Sequence, residues 1–163
     1  MTINEQNLLL IHNASQLLTL SGGPQRGSRL GELGIIEMGA VIIQGTKILD
    51  IGESTDLLTR FPEAALFDAE GCVVMPGFVD PHTHLVWAGD RAEEFSLRLQ
   101  GKSYMEIMES GGGILSTVRA TRQASIQELV SQTRQRAWQA FSHGTTTAEV
   151  KTGYGLSLDS EIK

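Results

Sequence analysis

The stretch that most restricts what this chain can fold into is Val73-Val74-Met75-Pro76-Gly77-Phe78-Val79-Asp80-Pro81-His82-Thr83-His84-Leu85. It reads as a short apolar strand that ends in His-x-His. Successive strand side chains point to opposite faces, so residues two apart point the same way. His82 and His84 therefore aim at one spot, and Thr83 aims away. Two neutral imidazoles on one point suit Zn²⁺ or another first-row divalent ion. Pro76 and Pro81 fix φ and remove amide donors, which stiffens both the start of the strand and the ligand turn. Gly77 lets neighbouring chain come close. The plainer alternative is a pair of unrelated histidines near a strand end.

Size and charge bound what such a strand can belong to. The 163 residues suffice for one domain of ordinary size, whereas a full (β/α)₈ barrel needs about 250. A hydrophobic content of 40% with 20% charged residues indicates a folded globular chain. Thirteen Lys and Arg against nineteen Asp and Glu leave a net charge of −6, which argues against nucleic acid as a partner. The single cysteine, Cys72, has no internal disulfide partner and fits a reducing cytoplasm. Its apolar surroundings predict a core position, not a nucleophile. The opening residues MTINEQ lack the basic and apolar regions of a signal peptide. No apolar run approaches the ~20 residues of a membrane span.

Upstream of the histidines, residues 7–20 alternate weakly and predict two short strands joined by a turn at Asn13-Ala14-Ser15. Residues 21–34 are rich in Gly and polar side chains and predict a loop, whose glycines lack phosphate-loop order. Residues 35–52 predict a β-hairpin turning at Gly45. Residues 54–61 predict a helical turn closed by Pro62. Residues 1–72 are thus expected to form a small antiparallel β unit with a thin core, and residues 73–163 a parallel part.

Downstream, residues 92–100, 102–110 and 114–124 predict helices separated by Gly101 and by Gly111-Gly112-Gly113. Ser125 with Glu128 three residues on has the capping-box pattern. The helix that follows sets Ile126, Leu129, Val130, Thr133, Ala137, Ala140 and Phe141 at helical spacing, a stripe expected to face the core. His143 and Gly144 suit its C-terminal cap, a structural role. Residues 145–150 predict a second parallel strand, Gly153-Tyr154-Gly155 the loop at its end, and Leu158 the start of another helix. Glu149 and Lys151 are read as facing opposite sides of that strand. Trp87 is expected to pack against the helical insertion, with lining of the pocket as its alternative. Strand, helix, strand in this order implies a parallel crossover.

The stretch PGFVDPHTHL resembles the first barrel-strand motif of the amidohydrolase superfamily, metal-dependent hydrolases of cyclic amides and related bonds. Three further stretches, LVWAGDRAEEF, GKSYMEIMESGGGILSTVRATR and EVKTGYGLSLDSE, narrow the likeness to the imidazolonepropionase family of histidine degradation. The resemblance covers nearly the whole chain and is weakest before residue 35. It implies an α/β fold: a small antiparallel β-sandwich portion over residues 1–72, then the first two β/α units of a (β/α)₈ barrel, truncated, over residues 73–163. Active sites of such barrels lie at the C-terminal ends of the strands, where His82 and His84 fall.

The same resemblance implies hydrolysis of the ring C–N bond of 4-imidazolone-5-propanoate to N-formimidoyl-L-glutamate. His82 and His84 would be ligands of one metal ion, Zn or Fe. Arg91 would anchor the propionate, since guanidinium binds carboxylate bidentately; its plain alternative is a surface arginine at a helix start. Tyr104 and Tyr154 would contact substrate, although Tyr104, in a helix, fits packing equally. Gly112 and Gly113 would let a loop close over the site. A third metal histidine, a metal aspartate and the general acid/base are expected from later strands, so residues 1–163 hold no catalytic residue and should be inactive alone. A homodimer of the full-length protein, a cytoplasmic location and the absence of membrane contact complete the expectation. Two alternatives stand beside it: another cyclic amidohydrolase or nucleobase-type deaminase, and a non-catalytic β/α binding module.

Overall fold

The computed structural model describes residues 8–163, and the residues read above for a signal peptide lie outside them. The chain divides into two compact units between Pro76 and Gly77. This lies beyond the boundary after residue 72 that the sequence suggests. The reason is local: Val73–Val74 pairs into the first unit, and the stretch Met75-Pro76-Gly77 interrupts what reads as one strand.

The first unit comprises β1 (Leu8–His12), β2 (Gln16–Leu18), β3 (Ile35–Glu37), β4 (Gly39–Gln44), β5 (Lys47–Glu53), helix α1 (Ser54–Arg60), β6 (Ala65–Asp68) and β7 (Val73–Val74). The strands form a four-stranded sheet in the order β5-β4-β1-β6 and a three-stranded sheet in the order β3-β2-β7. The hairpin expected over residues 35–52 is β4 and β5, antiparallel, with Gly45 at φ 57° between them. The two strands expected before residue 20 do form, but they part into different sheets instead of pairing, because Asn13 at φ 59° redirects the chain. The unit is also not purely antiparallel: β6 runs parallel to β1 and β7 parallel to β2.

The core of this unit is small. Leu10, Ile42 and Leu57 are fully buried, with Ala40 and Ala64 beside them and Leu8, Leu58 and Phe61 packed around. One face of β1 and β4 therefore rests on α1. Ile11, Val41 and Ile43, on the opposite side, line an apolar cavity of about 510 Å³ together with Leu17, Ile51 and Val74. Cys72, expected in the core, is exposed. It precedes β7 in a turn where its amide donates to the Ala69 carbonyl at 2.8 Å and its carbonyl accepts the Ser15 amide at 3.1 Å.

The second unit comprises β8 (Phe78–Thr83), α2 (Ala92–Leu99), α3 (Tyr104–Glu109), α4 (Ile114–Gln123), α5 (Ile126–Ser142), β9 (Thr145–Val150) and α6 (Leu158–Ile162). β8 and β9 are parallel, and α5 is the long helix of the crossover between them. The close approach that Gly77 allows is real. A Cβ there would lie 2.2 Å from Thr146 Oγ1, so a larger residue would push β9 away from the start of β8. Ser125 and Glu128 make both bonds of the capping box on α5, and Ser103 and Glu106 do the same on α3. At the far end of α5, His143 Nδ1 donates to the Gln139 carbonyl at 2.7 Å and Gly144 takes φ 93°, the structural role expected of that pair. The apolar stripe of α5 departs from expectation: only Leu129 is buried, whereas Ile126, Val130 and Phe141 are about half exposed.

Candidate active site

The site is assembled where β8 and β9 end. Their register is irregular between Asp80 and Thr83, where three steps along β8 face two along β9. Pro81 has no amide to give to the ladder, and a bulge at that position re-aims the side chains that follow it. The Asp80 carboxylate accepts the His82 amide at 3.1 Å and holds the bulge closed.

The two imidazoles lie beside each other at the end of β8. Their ring centres lie 5.4 Å apart with planes inclined at 73°. Two imidazoles on one tetrahedral ion, each at a Zn–N distance of about 2.1 Å, have centres roughly 5 Å apart, a separation close to the one seen here. His84 is further fixed. Its Nδ1 lies 3.1 Å from the Lys151 carbonyl, and a carbonyl only accepts, so Nδ1 carries the proton. The lone pair is then on Nε2, the arrangement that outer hydrogen bonds to metal-binding histidines enforce. Gly153 makes room for this ring, since a Cβ there would sit 2.9 Å from His84 Cε1. Among the described residues no group of three or more His, Cys, Asp or Glu converges, so the pair stands without a third ligand.

Tyr154 lies against the same ring, with centres 5.4 Å apart and planes inclined at 65°. Its loop is tightly held. Glu161 accepts the amides of Gly153 at 3.2 Å, Gly155 at 2.9 Å and Leu156 at 2.7 Å, and Arg122 Nε donates to the Gly155 carbonyl at 2.6 Å. Glu161 and Arg122 each end one of the stretches that carry the family resemblance, yet their joint hold on this loop is a tertiary contact that spacing alone does not show.

Arg91 is not free. Its Nε and Nη2 both bind Glu94 Oε2, at 2.8 and 2.6 Å, while Glu94 Oε1 accepts the Gly113 amide at 2.8 Å. The bond to Glu94 raises the guanidinium pKa above its ordinary value. Reciprocally, Arg91 holds the Glu94 carboxyl below the usual range. The glycine joint is thus pinned to the residue that orients Arg91. Beside it opens a cavity of about 370 Å³ walled by Asp90, Arg91, Glu94, Ile107, Gly112 and Ser116. Tyr104 begins α3 and is 55% exposed.

Lys151 and Glu149 depart from expectation, and Trp87 does not. Lys151 and Glu149 form an ion pair and share a side, not opposite faces, because residues two apart on an extended chain point the same way. Trp87 packs, as expected, with the guanidinium of Arg136 3.4 Å above its ring.

The family model described as "Amidohydrolase family" matches residues 65–144. The chain is 53% identical over 157 residues to the imidazolonepropionase of Chloroflexus aggregans and 51% identical over 158 residues to that of Symbiobacterium thermophilum. Each match takes in 95% of this chain but 37% of the relative, so the chain spans a little over a third of their length. Among solved structures, Escherichia coli guanine deaminase superposes with a TM-score of 0.63 at 18% identity, over 90% of this chain and 30% of that one. This last likeness concerns the fold alone.

Proposed function

We propose that this chain, which is related over nearly all its length to the N-terminal part of the imidazolonepropionases, carries the first portion of the active site of a metal-dependent hydrolase. The reaction is opening of the ring C–N bond of 4-imidazolone-5-propanoate to N-formimidoyl-L-glutamate. The observation that supports it most is the convergence of His82 and His84 at a strand end, with the His84 Nδ1 proton committed to Lys151.

In this reading His82 and His84 hold one zinc or iron ion. When bound, such a cation lowers the pKa of water and polarises a carbonyl oxygen. Arg91 takes the propionate carboxylate on the guanidinium edge that Glu94 leaves open, with Glu94 fixing its direction. Tyr154 and Tyr104 offer phenolic hydrogen bonds beside it. Catalytic zinc sites normally have three protein ligands, so the remaining ligand, a metal carboxylate and the acid/base group lie outside these residues. The second unit would be the opening of a (β/α)₈ barrel and the first unit a β-sandwich portion, in a cytoplasmic homodimer.

Two measurements test this. Residues 1–163 alone should bind zinc weakly and leave imidazolonepropionate intact, whereas the longer protein should turn it over and lose that activity in His82→Ala. Hydrolysis by residues 1–163 that His82→Ala abolishes would contradict the assignment of roles. Arg91→Ala in the longer protein should raise KM by about ten- to a hundredfold while kcat changes less, as expected for losing charge-assisted hydrogen bonds worth roughly 1.5–3 kcal/mol. A rise below about threefold removes Arg91 as the anchor.

A further inference from the structure

The segment that follows His84 is held in an unusual way. On α5, Arg136 Nη1 donates to two carbonyls of that segment, Leu85 at 2.9 Å and Trp87 at 2.8 Å. Its Nη2 donates to Gln132 Oε1 at 3.1 Å, and its guanidinium plane covers the Trp87 indole. Trp87 Nε1 in turn donates to the carbonyl of His84 itself, at 3.0 Å. Thr133 Oγ1 adds a long bond to the Leu85 carbonyl at 3.4 Å, and the buried Thr121 accepts the Ala88 amide at 3.1 Å. Three carbonyls, those of His84, Leu85 and Trp87, are therefore captured by one arginine–tryptophan stack.

These partners of Arg136 are all neutral, and among the described residues no carboxylate forms an ion pair with it. A guanidinium suits such a role because its planar fork can bridge two acceptors while its face stacks on an indole. A lysine ammonium at the same position has no planar face to lay on the indole and no second nitrogen for Gln132.

We propose that Arg136 and Trp87 are positioning residues for His84: they fix its main chain while the Lys151 carbonyl fixes its ring. The proposal rests on the reading of His84 as a metal ligand. Groups that orient ligands from outside the coordination sphere typically change metal affinity about 10- to 100-fold when removed. A residue that merely anchored α5 would change thermal stability and leave affinity per folded molecule alone.

The test uses the 163-residue chain with Arg136→Lys and Trp87→Phe, the latter deleting the indole N–H but keeping an aromatic face. Three quantities are read: the nuclear Overhauser contact between the His84 and Tyr154 rings, the zinc affinity, and Tm. The expected result is loss of the ring contact in Arg136→Lys, affinity about tenfold weaker, and a smaller change of the same sign in Trp87→Phe. If Arg136→Lys does not fold, Trp87→Phe decides. Ring contact and affinity like those of the parent in either folded variant overturn the proposal. His84→Ala separates the two readings. If it abolishes zinc binding while Arg136→Lys leaves it unchanged, the positioning role fails and the metal site stands. If the parent chain binds no zinc, the metal reading fails, and the ring contact alone decides whether Arg136 positions His84.

Discussion

At the scale of single residues, the account turns on why His84 presents Nε2. The Lys151 carbonyl takes the Nδ1 proton, and Gly153 leaves the ring the space it occupies. Gly153→Ala should therefore displace the imidazole, costing about 1–3 kcal/mol by overpacking and breaking the ring contact with Tyr154. Chemical denaturation together with the His84–Tyr154 Overhauser contact checks this, and an unperturbed contact in the variant would contradict it. That the His82 and His84 rings are neighbours was legible because a separation of two residues needs no tertiary information. Arg136 was not, since the carbonyl it binds lies 51 residues away and no motif marks it. Glu94 was equally hidden: an acid in the first turn of a helix reads as a dipole partner until its contacts with Arg91 and Gly113 are seen.

At the scale of elements, the caps were the most readable feature, because a capping box is written in four consecutive residues. Ser125 and Glu128 followed that rule, and Ser103 and Glu106 repeat it on the short α3 that begins with Tyr104. The Ser103 amide, then the Ser103 hydroxyl, then Lys102 lower the Glu106 carboxyl from 4.5 to about 2. A depressed carboxylate contributes stability that is fully present above its unfolded pKa and is lost as pH falls through the folded one. The cap on α3 should therefore hold at neutral pH and weaken between about 4.5 and about 2. Side-chain NMR titration of Glu106 should give a midpoint near the lower value, with the Glu106 amide signal moving in step. A midpoint near 4.5 would contradict the cap as described. Strand limits were less readable. Val73–Val74 and Phe78–Thr83 look continuous in sequence, yet they belong to different sheets because Pro76 supplies no amide and Gly77 is drawn against Thr146.

At the scale of the whole molecule, the order of elements and the parallel pairing of β8 with β9 were legible, whereas burial was not. The helical spacing of Ile126, Val130 and Phe141 signals a face that seeks a partner, but spacing does not say whether the partner lies within the same 163 residues. Leu99, Leu158 and Ile162 are each about three-quarters exposed in the same unit. The proposed barrel accounts for these faces as surfaces that further β/α units cover.

The most direct measurement is a zinc titration of the 163-residue chain followed by nitrogen NMR at the imidazoles of His82 and His84. Both rings should shift together along one common 1:1 binding curve, with Nε2 of His84 as the perturbed nitrogen and neither shift surviving in His82→Ala or His84→Ala. Independent saturation of the two rings, or perturbation of only one, would show that they do not hold one cation.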